Sequence, residues 1–237
     1  MAAVTISSDQ RFASSLAYVK ARAGGTLTAR GSRVRLVIND APQRVIAEVL
    51  SDIIVTDLKS HYIESQIHLP SDDQVITQAF IRALSTFDRE TEKIIAKSII
   101  KVTPNIYLDS LYEFTLDTLK TRWNEVCNLA NENTCYLACP RTFMELLRFL
   151  ISNIESLSDE AHVIQVTSDK GQVTNLEVLG RGLKPFKDIY INESLPPDVK
   201  VISKLVTIAP KRVFLHGDYP KLQESINNLF GSCVLVN

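Results

Sequence analysis

The sequence has 237 residues, of which 45% are hydrophobic and 22% are charged, and its formal net charge at pH 7 is −1. A chain of this length can bury enough apolar surface to fold without disulfides or structural metals. The composition excludes a disordered, collagenous or low-complexity protein. The near-zero net charge argues against a protein that binds nucleic acid over its whole surface.

The compartment is indicated by what the sequence lacks. It does not begin with a basic segment followed by an apolar one, and it contains no apolar run long enough to span a membrane. We therefore predict a cytoplasmic protein without membrane contact. The four cysteines are too few for a disulfide framework in a chain of this length; they are Cys127, Cys135, Cys139 and Cys233.

Cys135 and Cys139 are spaced like one half of a zinc site, but a second ligand pair and a nearby histidine are missing. The sequence also lacks the glycine-rich fingerprints of dinucleotide and P-loop sites. We therefore predict no metal and no cofactor.

Residues 1–40 predict a small β-α-β-β unit. Its elements are a strand at Val4–Ile6, a helix at Asp9–Ala23, and strands at Thr26–Arg30 and Arg33–Ile38. The glycine pair Gly24-Gly25 ends the helix. The dipeptide Gly31-Ser32 between the two strands predicts a tight hairpin with a type II′ turn.

Residues 41–158 predict a region that is helical throughout. Asp40 is the expected N-cap of its first helix, Pro42 lies in the first turn, and a broad apolar stripe continues until Pro70. Further helices are predicted from about Gln74, at Arg89–Lys101, from Asp109 to about Ala130, and after Pro140.

Residues 159–237 predict a second α/β region, because the apolar period changes from about four to two at His162. Beyond a hairpin we expect a helix at Asp198–Ile208, a strand at Arg212–His216, a helix at Pro220–Phe230 and a strand at Cys233–Val236. The predicted class is α+β, with a mainly helical central region flanked by small α/β units at the two termini. The three regions can form one continuous domain.

Several stretches between Ala41 and the C-terminus resemble the YtxC family, which is associated with sporulation in endospore-forming bacteria. They are Leu50–Ile54, Ile106–Leu119, Phe143–Phe149, Glu160–Val163 and Thr207–His216. None of them is a catalytic motif. The resemblance implies a cytoplasmic protein connected with sporulation, and it transfers no active site.

The candidate contact residues begin with the hairpin. In the expected register Arg30 lies opposite Arg33 and Thr28 opposite Arg35 on one face, while the other face is apolar. Like charges that face each other need solvent or an anionic partner, and arginine suits carboxylates and phosphates because its planar fork donates two parallel hydrogen bonds. A solvated outer face is the competing interpretation.

His216 is the fourth candidate, because it lies where a strand ends close to the start of a helix. We interpret the chain as a non-enzymatic protein that acts through an unknown protein partner. The alternative is an enzyme or binding protein for a small phosphorylated or carboxylated ligand held by the arginines and His216. Nucleic acid is a weaker third interpretation, because no aromatic residue is interleaved with the arginines to stack bases.

Overall fold

The computed structural model describes residues 3–67, 73–132, 140–167, 173–186, 189, 191, 195–231 and 234–236. These residues are mainly helical, and their strands form two mixed sheets. The predicted α+β class is confirmed.

The helices and strands of the described residues follow one order along the chain. In order they are β1 (Val4–Asp9), α1 (Ala13–Ala23), β2 (Thr26–Arg30), β3 (Arg33–Ile38), α2 (Gln43–Ile53), α3 (Lys59–Gln66), α4 (Gln74–Thr86), α5 (Arg89–Ile99), β4 (Asn105–Tyr107), α6 (Leu108–Phe114), α7 (Asp117–Glu132), α8 (Pro140–Ser152), β5 (Glu160–Thr167), β6 (Val173–Gly180), β7 (Lys184–Pro185), α9 (Pro197–Ile208), β8 (Arg212–His216), α10 (Pro220–Phe230) and β9 (Val234–Val236).

The chain divides into two compact units. Unit 1 holds the described residues of Met1–Gln66 and Asp88–Cys127, and unit 2 holds those of Ile67–Phe87, Asn128–Ile191 and Leu195–Asn237. Each unit therefore combines one sheet with helices from the region 41–158.

Unit 1 is built on a four-stranded sheet, sheet A, with the strand order β2-β3-β1-β4. β1 pairs antiparallel with β3 and parallel with β4. The inward face of the sheet packs on α1 and α2 in one apolar core. The sheet contributes Val4, Ile6, Val34, Leu36, Ile38 and Ile106, and the two helices contribute Leu16, Val19, Ile46, Val49, Leu50 and Ile53.

The predicted hairpin and its register are confirmed. Arg30 pairs with Arg33 and Thr28 with Arg35. Gly31 has a φ of 60°, which the first turn position of a type II′ hairpin requires and which glycine adopts without a steric penalty.

One long helix runs from Gln43 to Gln66, as the apolar stripe predicts, but it contains a π-helical turn at Ile54–Leu58. In this turn the Lys59 N–H donates to the carbonyl of Ile54, five residues back. The prediction that Asp40 caps this helix is wrong. Asp40 has a left-handed φ of 61° that turns the chain after β3, and the N-cap is Pro42.

Two further expectations for the central region are wrong. The stretch Asn105–Tyr107 is a strand that pairs with β1, which lies about a hundred residues earlier in the chain. The sequence did not predict this strand because the local apolar pattern does not reveal such a distant partner. The helix expected from Asp109 to Ala130 is two helices, since Thr115 ends α6 and the buried Leu116 separates it from α7.

Unit 2 is built on a five-stranded sheet, sheet B, with the order β7-β6-β5-β8-β9. β5, β8 and β9 run parallel, and β6 and β7 are antiparallel to their neighbours. α9 packs on β6 and on α4. The rings of Phe80 in α4 and Phe143 in α8 lie 5.1 Å apart and join those two helices.

Ion pairs join α2 to α5 on one side of unit 1. The Nζ of Lys93 lies 2.6 Å from Asp52 Oδ1 and 2.8 Å from Glu48 Oε1, and the Nζ of Lys97 lies 2.5 Å from Glu48 Oε2. Hydrogen bonds from Lys93 and Lys97 lower the pKa of Glu48 to about 2. The charged form of Glu48 therefore stabilises the folded chain.

We expect Glu48→Gln to flatten the pH dependence of stability in acid. The pKa of Glu48 is lower in the folded chain than its ordinary value of 4.5, so its contribution is present above pH 4.5 and is lost as the pH falls towards 2. The Glu48 side chain is 39% exposed, which limits the change in unfolding free energy at pH 7 to about 1 kcal/mol or less.

Urea unfolding between pH 7 and pH 2 measures this effect. The control is Glu155→Gln, which removes an exposed carboxylate outside the ion-pair cluster. Equal slopes of stability against pH for the wild-type chain and Glu48→Gln would contradict the prediction.

Candidate functional site

The three candidate arginines lie together on the outward face of sheet A. Because side chains alternate along a strand, burial of Val34 and Leu36 directs Arg33 and Arg35 outward. The cross-strand rows of this face are Arg30–Arg33–Asp9, Thr28–Arg35–Ser7–Tyr107 and Thr26–Val37–Thr5–Asn105. We call this surface the arginine face. All three arginines on it are exposed.

The charges of the arginine face are unevenly compensated. Arg33 lies between Arg30 on β2 and Asp9 on β1, so one neighbour repels it and the other attracts it. The Nη2 of Arg35 reaches Thr5 Oγ1 at 3.5 Å. Arg30 has no cross-strand carboxylate, since β2 is the outer strand of the sheet. The β2 side of the face is therefore its most positive part.

Tyr107 is a member of the arginine face that the sequence did not reveal. It lies in the same cross-strand row as Arg35, with Ser7 between them, and it is 55% exposed. The only local signal is the exposed–buried–exposed pattern of Asn105, Ile106 and Tyr107. Such a short alternation identifies a strand only when its partner is known.

His216 lies in unit 2, at the end of β8, and the arginines lie in unit 1. Its Nε2 is 3.1 Å from the Nδ1 of His162 on the neighbouring strand β5, so one ring donates a hydrogen bond to the other. The His162 ring also stacks on Phe214 at a centroid distance of 4.7 Å. The sequence did not predict the contact with His162, because this contact depends on the pairing of β5 with β8, which are about fifty residues apart in the chain.

A second charged cluster lies where β1 and β4 end, and its cation is already compensated. The guanidinium of Arg11 faces Asp9, Asp109 and Glu113 at 3.4–3.7 Å, and it lies 4.6 Å from the centre of the Phe12 ring. One positive charge facing three carboxylates is a poor site for an added anion.

Unit 1 contains a buried ion pair that joins the helix after the π-helical turn to α5. The Nζ of Lys59 is 2.7 Å from Glu92 Oε2, and the side chains are 0% and 3% exposed. Burial lowers the pKa of Lys59 and raises that of Glu92, while their mutual attraction opposes both shifts. Because this pair is enclosed by the core, it cannot meet a substrate.

Two further nucleophile candidates of unit 1, Ser15 and Cys127, are also buried. The Ser15 hydroxyl donates a hydrogen bond to Asp57 and is fully covered. Burial raises the pKa of the Cys127 thiol to about 11, so the thiolate that reacts as a nucleophile is scarce at neutral pH.

The predicted absence of zinc stays a prediction, because Cys135, Cys139 and Cys233 lie outside the described residues. In the described part of the chain, no three His, Cys, Asp or Glu side chains are arranged to hold a metal ion. No helix within the same residues is sufficiently long and apolar for a membrane span.

Comparison with known proteins gives one family. The model of the YtxC-like family matches residues 44–234, which is most of the chain. The chain belongs to the YtxC-like family, which confirms the resemblance seen in its sequence. No curated protein matches the chain, and no solved structure matches it. The matched range contains Tyr107, His162 and His216 and begins after the three arginines.

We expect Glu92→Gln to lower the free energy of unfolding by about 3–5 kcal/mol, because it removes the carboxylate that contacts the buried ammonium of Lys59. The double variant Lys59→Met/Glu92→Leu should recover most of that loss, since it removes both buried charges and keeps the volume apolar. Urea unfolding at pH 7 measures both.

The matched control is Asp159→Asn, which breaks an ion pair with Lys211 whose side chains are 72% and 69% exposed. It should cost less than about 1 kcal/mol. If Glu92→Gln costs no more than this control, breaking one half of the buried pair is not costly and the prediction is wrong.

Proposed function

We propose that this member of the YtxC-like family is a non-enzymatic cytoplasmic protein that acts in sporulation by binding an acidic protein partner through the arginine face. The proposed binding surface rests on one observation: Arg30, Arg33 and Arg35 are exposed side by side on one face of sheet A. Guanidinium groups bind carboxylates through paired, charge-assisted hydrogen bonds. The compartment and the connection with sporulation rest on the resemblance to the family.

The non-enzymatic part of the proposal is supported by the state of the reactive groups in unit 1. Lys59, Ser15 and Cys127 are enclosed by the core, and a catalytic group must come within hydrogen-bond reach of its substrate. His216 is already in contact with His162 through its Nε2.

The arginine face is open to solvent, which favours a large partner over a small ligand. A site for a small anion encloses most of its ligand, whereas these arginines stand on an open sheet and face solvent. A large partner with several carboxylates can contact all three at once. A protein segment fits this surface better than a small phosphorylated or carboxylated molecule.

The single aromatic side chain of the face favours protein over nucleic acid. Proteins that bind single strands stack successive bases on several aromatic rings, and Tyr107 is the one ring among the described outward residues of sheet A.

We expect Arg30→Glu to weaken binding of fluorescein-labelled poly-L-glutamate by at least about tenfold, or about 1.4 kcal/mol. Arg30 is the preferred position because Arg33→Glu would place the new carboxylate opposite Asp9 as well as Arg30. Fluorescence anisotropy measures the binding, which should weaken as salt is raised because exposed charges are screened.

The matched control is Arg44→Glu, which makes the same charge change at an exposed position in the first turn of α2. It should bind poly-L-glutamate like the wild-type chain. Equal losses for both variants would mean that only net charge matters. Tighter binding of a labelled poly-dT strand than of poly-L-glutamate would overturn the choice of a protein partner.

A further inference from the structure

The strand that carries Arg30 is also an edge of sheet A, because none of the described strands pairs with its outer side. β2 is the outer strand in the order β2-β3-β1-β4, and it pairs with β3 without a register shift. Edge strands expose a row of unpaired N–H and C=O groups, and proteins commonly block such rows with lysine, proline or a bulge. β2 has the sequence Thr-Leu-Thr-Ala-Arg and contains no lysine, no proline and no bulge, and its one charged side chain is Arg30.

The hairpin geometry identifies which backbone groups point outward. The residues that flank a two-residue turn, Arg30 and Arg33, form a hydrogen-bonded pair, and such pairs alternate with non-bonded ones along an antiparallel ladder. Thr28 and Thr26 therefore direct their N–H and C=O groups to β3. Leu27 and Ala29 direct theirs away from the sheet.

We propose that an extended acidic segment of the partner adds to sheet A as a fifth strand, hydrogen-bonded to the outward groups of Leu27 and Ala29. This inference rests on the proposed function and gives the mode of binding. Addition of a strand to a sheet edge obtains affinity from main-chain hydrogen bonds and specificity from alternate side chains.

The charges and burial of β2 set the sequence pattern of the partner. Thr28 and Arg30 point to the arginine face, so the residues opposite them should be acidic. Leu27 is half-buried against the core of unit 1, so the residue opposite it should be apolar. The partner segment should therefore alternate acidic and apolar residues.

Charge also argues against a second copy of the chain as the occupant. Two copies joined at their β2 edges would form one continuous sheet with six arginines on its outward face. An acidic strand instead neutralises the positive side of the face, where Arg30 has no cross-strand carboxylate.

The deciding variant is Ala29→Pro, compared with Ala29→Val. Proline removes the outward N–H of Ala29 and is tolerated on an edge strand where that group faces solvent, while valine keeps the N–H and favours a strand. The probe is a labelled peptide in which glutamate and valine alternate, and its control is a peptide of the same composition with the glutamates in one block.

We expect the wild-type chain and Ala29→Val to bind the alternating peptide at least tenfold more tightly than the block peptide. Ala29→Pro should lose this preference. Amide hydrogen exchange of the wild-type chain gives a second measurement that does not depend on the folding of the proline variant. The amides of Leu27 and Ala29 should exchange more slowly when the alternating peptide is added.

Three results would overturn the inference. If Arg30→Glu abolishes binding of the alternating peptide but both Ala29 variants bind it like the wild type, the acidic partner lies on the arginine face and not on the edge. Unchanged exchange of the Leu27 and Ala29 amides at saturating peptide leads to the same conclusion. If light scattering shows a dimer that Ala29→Pro dissociates, a second copy occupies the edge. The first two results leave the proposed function intact.

Discussion

The central position of β1 in sheet A is the constraint on which the arginine face depends. β1 holds the hairpin on one side and β4 on the other, and its Val4 and Ile6 are buried in the core of unit 1. Since side chains alternate strictly along a strand, a register shift of one residue would bury the arginines and expose Leu36 and Ile38. The free energy of burying the apolar side chains therefore fixes the outward direction of the charged ones.

A different interaction fixes the helices of unit 1. The buried pair of Lys59 and Glu92 joins α3 to α5 at a distance of 2.7 Å. Desolvation of two charges offsets much of their attraction, so such a pair adds little net stability compared with apolar side chains. Breaking one half is costly, however, and packings that separate the two groups are therefore excluded. The π-helical turn just before Lys59 shifts the helical phase by one residue and thereby sets the face on which this side chain points.

The hairpin, the long helix and the terminal α/β patterns were predictable from the sequence because their signals are local. Gly31-Ser32 specifies the turn, and the alternation in β3 specifies which residues face the core. β4, the contact of His162 with His216 and the place of Tyr107 were not predictable, since each depends on a partner strand far away in the sequence. The π-helical turn was missed because Ile53, Ile54 and Val55 are all apolar, so the apolar stripe stays continuous across the shift in helical phase. The sequence therefore predicted the part of the arginine face that lies on β2 and β3, and it did not predict the part that lies on β1 and β4.

Only part of sheet A lies within the residues that the family model matches. The matched range, residues 44–234, begins after β3, so that β1, α1, β2 and β3 precede it, while β4 and all but the first residue of α2 lie inside it. Without the residues that precede the matched range, the edge of β4 and an apolar surface of the helices would be exposed. β1 covers the edge by pairing parallel with β4, and its buried residues cover the apolar surface. The arginines are carried by strands that this packing holds in place. Their proposed role therefore does not follow from membership of the family, and it depends on residues 3–43 packing on the part that the family shares.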